Sequence, residues 1–186
     1  MKNLSTLLLI FFLFSCSTTR KSNSTIINRE GVAITSKVVL KENIPARYIN
    51  TKQVNPEVLM QFAETLQGIP YKYGSVIKEK GFDCSGFINY VFNHYKIWVP
   101  RVSKDFTNAG IAVSTLQSKR GDIILFTGSD PNSGVVGHLG LITRNDNGML
   151  QFIHAASGEG GGVMISTVNS YFMPRFVKVI RVFINS

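Results

Sequence analysis

The chain has 186 residues, 44% of them hydrophobic, enough for one buried core and too few for two large ones. Its formal net charge of +9 comes from 20 Lys and Arg against 11 Asp and Glu, a balance that suits an anionic partner such as a polymer or lipid headgroups, or simply solubility. The basic residues are dispersed, which argues against nucleic acid as the partner, since such faces gather their cations.

Lys2 supplies a short positive start, and Leu7 through Phe14 form an apolar run too short for a permanent membrane span. The run ends in Leu13-Phe14-Ser15-Cys16. That ending resembles the lipobox of bacterial lipoproteins, in which the peptide is cut before the cysteine and the cysteine carries the lipid; Phe14 is bulkier than the usual residue at its place. The expectation is a signal peptide over residues 1–15 and lipidation at Cys16, with an ordinary secretory signal as the alternative. Either way the chain is exported. With the lipid it would be held on a membrane of the bacterial cell envelope, on the periplasmic side of the outer membrane in a Gram-negative cell. Cleavage removes only Lys2 among the charged residues and takes the net charge from +9 to +8.

Ser17 through Asn28 is rich in Ser, Thr, Asn and basic residues, as a solvated tether would be. Short apolar patches follow (Val32-Ala33-Ile34 and Val38-Val39-Leu40) without a clear period, so residues 16–54 are read as lipidated cysteine plus tether, partly undecided. A domain is expected over residues 55–186. It opens with Asn55-Pro56-Glu57, a helix start with a capping side chain, a proline at the first turn and an acid near the dipole's positive end. Val58, Leu59, Phe62, Ala63 and Leu66 recur at helical spacing as far as Gly68. After the loop from Ile69 to Ser75, a second helix is predicted with Asp83 near its cap, running to about Tyr95 with Phe87, Tyr90 and Val91 buried. Trp98-Val99-Pro100-Arg101 interrupts it, and Ser103 caps a short helix to Ala109. Strands are predicted at Ile123–Phe126, Val135–Thr143, Met149–Ala156, Val163–Ile165 and Phe176–Ile184. Asn145-Asp146-Asn147-Gly148 marks a hairpin turn between the second and third. Helices first and strands later predict an α+β domain with a mainly antiparallel sheet of five or six strands.

Cys84 directly follows Asp83 at the start of the second helix, where unpaired backbone N–H groups favour a thiolate. Only one other cysteine exists, Cys16. If that residue is lipidated, Cys84 has no disulfide partner in an oxidising compartment, a liability unless it is buried or used. A nucleophilic cysteine needs a base, and histidine serves near neutral pH. His94 lies ten residues further along the same helix, roughly 15 Å away, and is excluded. His138 and His154 fall on the two strands of the hairpin. Centring its turn on residues 146–147 puts His138 opposite about position 155, next to His154, provided no bulge shifts the register. Such a pair suits a base and an orienting partner, while polar groups satisfied near a sheet end are the plainer reading of each. A zinc site from one cysteine and two histidines lacks the usual ligand spacing. Gly158 through Gly162 does not form a phosphate loop, and no carboxylate pair stands out. No metal or cofactor is implied.

Six short motifs occur in order: Pro70-Tyr71 with Tyr73-Gly74; Gly81 through Phe87; Val99 through Ser103; Gly121-Asp122-Ile123; Gly137 through Leu141; and Phe152 through Ala155. Together they resemble the NlpC-type family of papain-like cysteine peptidases, which cut bacterial cell-wall peptides. The resemblance covers about residues 55–184. It implies a papain-like NlpC-type fold, with Cys84 as nucleophile, His138 as base and His154 as the orienting third residue. It further implies Tyr71 beside the thiol, with Asp83 and Ser85 shaping the substrate side of the cleft. This chain departs from the family in carrying Tyr73-Gly74-Ser75 where an aromatic residue usually precedes two glycines, and Phe106 where many members are polar. The leading functional expectation is a lipid-anchored endopeptidase on peptidoglycan stem peptides or cross-links; members commonly cut between a γ-D-glutamyl group and a diamino acid. A thiol amidase or acyl-transfer enzyme on the same fold is the alternative, and a non-catalytic wall-binding lipoprotein is the third. The bond cut and the oligomeric state are not legible.

Overall fold

The computed structural model describes residues 24–27, 33–36, 49–158 and 160–184. The expected signal peptide and Cys16 lie outside the described residues. The chain divides into two units, Met1–Ile44 and Pro45–Ser186. In the first, β1 (Ser24–Ile27) and β2 (Ala33–Ser36) pair antiparallel, with Ser24 opposite Ser36 and Ile27 opposite Ala33. A two-stranded ladder therefore occupies part of the stretch read as tether.

The second unit opens with α1 (Pro56–Glu64), whose cap is the Asn55 side chain accepting the Glu57 N–H at 2.8 Å. The face it buries is Leu59, Met60 and Ala63, with Leu66 just beyond, whereas Val58 points to solvent at 47% exposure. Leu59, Ala63 and Leu66 of the expected stripe are thus buried and Phe62 is partly buried, while Met60 is buried in place of Val58. Two short strands missed by periodicity, β3 (Val76–Ile77) and β4 (Gly81–Phe82), pair antiparallel and lead into α2 (Cys84–His94). Phe87, Ile88, Val91 and Phe92 are fully buried, so α2 is enclosed on more than one side, and Tyr90 only partly joins that core. Ser103–Asn108 forms the expected short helix, as a 3-10 turn.

The remaining strands are β5 (Ile111–Val113), β6 (Ile123–Thr127), β7 (Val136–Asp146), β8 (Met149–Ala155), β9 (Val163–Thr167) and β10 (Phe176–Arg181). They form one sheet in the order β5-β10-β6-β7-β8-β9, every neighbouring pair antiparallel. This is the α+β arrangement the order of elements predicts, with β5 as the sixth strand. The β7–β8 turn is Asn147-Gly148, both at positive φ (51° and 94°), as a tight two-residue hairpin requires.

Alternation along the strands sends side chains to two cores. Ile123, Leu125, Leu139, Leu141 and Ile153 pack with α1 and α2 on one face. Ile124, Phe126, Ile142, Leu150 and Phe152 pack on the other, beneath Phe172 and Phe176. Arg120 bonds Glu57 at 2.8 Å and Glu64 at 2.6 Å, tying α1 to the sheet, and donates to the Thr143 carbonyl at 3.3 Å. Thr143 sits where the β7–β8 register slips by one residue. Among the described residues no helix is long and apolar enough to cross a membrane.

Candidate active site

Asp83 caps α2: its Oδ1 accepts the Gly86 N–H at 2.6 Å. The same carboxylate takes both ends of the Arg101 guanidinium, at 3.0 and 2.7 Å, and Arg101 also donates to Ser85 Oγ at 2.9 Å. Asn89 Nδ2 reaches the Pro100 carbonyl at 2.7 Å and so pins the Val99–Ser103 stretch along the helix. Asp83 and Ser85, at 7% and 4% exposure, spend their polar atoms on this internal network, although both border the cleft beside Cys84.

Cys84 is a free thiol at the first position of α2. Its Sγ lies 3.4 Å from Ser103 Oγ and 3.7 Å from the Gly137 carbonyl oxygen, at the start of β7. Burial pushes this thiol above its ordinary value. The Ser103 hydroxyl pulls the other way, the Asp83 charge adds to the rise, and the Ser85 and Cys84 N–H groups oppose it. Ser103 enters as a sulfur partner, a role its expected place as a helix cap did not reveal.

The two histidines meet. His138 Nε2 and His154 Nδ1 are 2.8 Å apart, with the rings close to perpendicular. They do so by a route different from the simple hairpin count. The slip at Thr143 puts Leu141 opposite Ile153, so His154 stands opposite Gly140, and His138 is its diagonal neighbour two residues earlier. Gly140 makes this possible, because a Cβ there would come within 2.6 Å of the Phe152 ring and 2.7 Å of the Ile153 carbonyl oxygen. The diagonal continues: His154 Nε2 lies 2.9 Å from Ser166 Oγ on β9, where Phe152 opposes Ser166. Ser166 is a site residue that nothing in the sequence marks, a lone serine on a short strand.

One set of tautomers leaves a base. Ser166 Oγ accepts from His154 Nε2–H, His154 Nδ1 accepts from His138 Nε2–H, and Nδ1 of His138 keeps a free lone pair. The opposite set would protonate that nitrogen. Aromatic packing surrounds the pair: Phe172 stacks near His138, and Phe152 lies 4.6 Å from His154 between ring centres. Burial lowers His138 to about 4, and burial followed by the His138 charge lowers His154 to about 3, so both rings are neutral at neutral pH.

Cys84, His138, His154 and Tyr71 border one cavity of about 390 Å³. Tyr71 is held by its backbone, its N–H donating to the Gly161 carbonyl at 3.2 Å, and its phenol is pushed up by burial first and then by the neighbouring Cys84 and Asp83 charges. No hydrogen bond joins Cys84 to His138; the sulfur is turned to Ser103 and Gly137. His94, at the other end of α2 from Cys84, does not border this cavity and is stacked on Phe62 at 3.9 Å between ring centres. Among the described residues no cluster of three or more His, Cys, Asp or Glu side chains is arranged to hold a metal ion.

Residues 68–181, more than half of the chain, match the NlpC/P60 family. The chain belongs to the NlpC/P60 family. Among its relatives, peptidoglycan endopeptidase RipB of Mycobacterium tuberculosis is 34% identical over 133 residues, covering 65% of this chain and 51% of RipB. Murein DD-endopeptidase MepS/Murein LD-carboxypeptidase of Escherichia coli is 31% identical over 137 residues, covering 72% of this chain and 66% of that protein. This chain therefore spans about half the length of RipB and about two thirds of MepS. Among solved structures, a Staphylococcus aureus protein described as similar to lipoprotein, NLP/P60 family, superposes with a TM-score of 0.60 at 25% identity, over 77% of this chain and 45% of that one. The NlpC/P60 match begins twelve residues after Pro56, the first residue of α1, and ends with β10.

Proposed function

We propose that this protein is a lipid-anchored cysteine endopeptidase that hydrolyses amide bonds in peptidoglycan stem peptides or cross-links. The single observation that carries the reading is one cavity bordered by a free thiol at a helix start and by a histidine whose far nitrogen is held by a second histidine. Membership of the NlpC/P60 family supports the substrate class, since RipB and MepS are named as peptidoglycan and murein endopeptidases.

In this reading His138 takes the Cys84 proton and the thiolate attacks the amide carbonyl carbon. The tetrahedral oxyanion faces backbone N–H groups at the start of α2, where the Cys84 N–H has no intrahelical partner. The C–N bond breaks as the His138 imidazolium gives its proton to the departing amine, leaving a thioester on Cys84. Water then attacks the thioester, His138 takes its proton, and the carboxylic acid leaves as the thiol is restored. His154 and Ser166 hold the His138 ring and stabilise the imidazolium. Asp83, Ser85 and Tyr71 border the substrate. Lipidation at Cys16 after removal of residues 1–15 would keep the enzyme on the envelope membrane beside its polymer, which is also where the net positive charge is useful.

The test is to incubate the full chain, purified in detergent, with isolated peptidoglycan and to identify the fragments by mass spectrometry, with Cys84→Ala as control. Soluble cut stem peptides from the wild type, reduced at least about a thousandfold in rate by Cys84→Ala, are expected. Sugar chains freed of intact stem peptides would instead identify an amidase. Wall material bound but unchanged would identify a binding module. Mass spectrometry of the mature N-terminus checks the lipid on Cys16.

A further inference from the structure

Two lobes of the cleft flank Cys84. One is bordered by Asp83, Arg101 and Ser103; the other by His138, Thr127, Tyr171 and Arg175. A general acid has to stand beside the nitrogen it protonates. On the reading above, the His138 lobe therefore receives the fragment that leaves as an amine, and the Arg101 lobe receives the acyl fragment.

The arginines of the two lobes differ in what balances them. Arg101 is paired with Asp83, and Arg120, Arg144 and Arg181 each face a carboxylate elsewhere. Arg175 is the described arginine for which no carboxylate is in reach. Its guanidinium lies 4.0 Å over the Tyr171 ring and donates to the Tyr171 carbonyl at 2.7 Å and the Ser129 carbonyl at 3.3 Å. Those two bonds use two of five donors, and the buried Nε–H has no partner. Thr127, on the same lobe and 4% exposed, has a buried hydroxyl that is also without a partner. Among the described residues no Asp or Glu borders this lobe. An oriented guanidinium with spare donors and no ion pair among the described residues, on the same lobe as an unused hydroxyl, is complementary to a planar two-oxygen anion.

We propose that Arg175, with Thr127, forms a carboxylate-binding subsite on the leaving-group side of the cleft, so that preferred substrates carry a free carboxylate on the amine-side fragment. The proposal rests on the assignment of Cys84 and His138 as nucleophile and acid only for the direction of the substrate. Two carboxylates could fill the subsite: that of the residue directly after the cut bond, or that of the residue beyond it.

The test uses the full chain carrying Cys84→Ala, which does not turn over, and calorimetric titration with L-Ala-γ-D-Glu-L-Lys, with L-Ala-γ-D-Glu-L-Lys-D-Ala, and with the carboxy-terminal amide of each. At least one acid is expected to bind about tenfold or more tighter than its amide, and the peptide with the larger ratio names which carboxylate is read. Arg175→Gln is expected to bring acid and amide within about twofold of each other. Arg175→Lys, which keeps the charge without the fork, is expected to retain part of the preference and serves where the Gln variant does not fold. Equal binding of acid and amide, no binding of any of the four, or a ratio unchanged by both Arg175 variants overturns the proposal. A variant that weakens acid and amide alike has only lost structure and overturns it too. Cleavage by the wild type is scored separately: selective binding without cleavage removes the peptidase reading and leaves the subsite, and cleavage without selectivity does the reverse.

Discussion

The cleft is made of two halves that the chain builds in opposite ways. The thiol half is polar and charged and mostly local: within three residues Asp83 caps α2 and sits next to Cys84, and the same carboxylate pairs with Arg101 from the following loop. The imidazole half is assembled from three strands and is neutral, with His138, His154 and Ser166 in a diagonal line under Phe172 and beside Phe152. The halves even belong to opposite faces of the sheet, since α2 packs on the face of Leu139 and Leu141 while the histidines share the face of Phe126 and Phe152. They touch where Cys84 Sγ reaches the Gly137 carbonyl. The contrast teaches how a fold divides its polar groups: charge is kept where a helix start can satisfy it, and the histidine pair is kept neutral in aromatic packing.

The largest effect is expected from breaking the thiol half. Asp83→Ala removes a cap and leaves Arg101 without its anion; because Arg101 is 40% exposed, the cost is discounted for solvent, to about 2–3 kcal/mol of stability. Urea denaturation measures it, and Asp83→Asn, which keeps the cap, should recover about 1 kcal/mol of that loss.

Acid should break the imidazole half next. Both histidines have folded values, about 4 and about 3, below the ordinary one, so between those values and about 6.5 the unfolded chain binds more protons than the folded one. Their contribution to stability is complete above about pH 6.5 and falls as pH drops through that window. His138 retains some contact with water, so its share is the smaller. Denaturation curves at pH 7, 6, 5 and 4 follow the loss, and His154→Gln should flatten it.

Ser166→Ala sharpens the comparison without disturbing the thiol half. It frees His154 to take the other tautomer, and kcat on stem peptides is expected to fall about tenfold with KM little changed. Ser166→Thr, which keeps the hydroxyl, should recover most of the rate, and the ring nitrogen shifts of His154 in NMR should move only in the alanine variant.

The smallest effect belongs to Ser103. Its hydroxyl draws the Cys84 thiol down against burial, so Ser103→Ala should move the alkaline rise in iodoacetamide alkylation of Cys84 to higher pH. A shift to lower pH would show that Ser103 destabilises the thiolate.

How legible each half was follows from the same division. The cap Asp83, the helix start at Cys84 and the Asn147-Gly148 turn are set by neighbours within a few residues, and the sequence displays them directly. The exclusion of His94 needed only the helical rise. The pairing of the histidines was legible as adjacency, but its geometry depends on the slip at Thr143, whose carbonyl is taken by Arg120. No pattern near Thr143 announces a bulge. Ser166 and Ser103 acquire their roles from strands and turns far away in the chain, and β3, β4 and β5, at two or three residues each, are too short to show a period. Met60 is buried where Val58 is expected, and α1 is held to the sheet by the Arg120 pairs to Glu57 and Glu64 as well as by its apolar stripe, which the spacing of apolar residues alone does not show.

The place of β9 in the sheet has one more consequence. It is the last strand in the order, paired along its inner edge with β8, and among the described residues its outer edge makes backbone bonds only at Val163, with Gly68 and Ile69. Ser166 lies three residues beyond that cover. The strand that completes the imidazole chain is thus among the first of the sheet to fray, while α2 and its thiol stay folded. Heating or mild denaturant should therefore cost His154 its Ser166 partner before the domain opens, so that the roughly tenfold loss expected of Ser166→Ala appears as a local event and is regained on cooling.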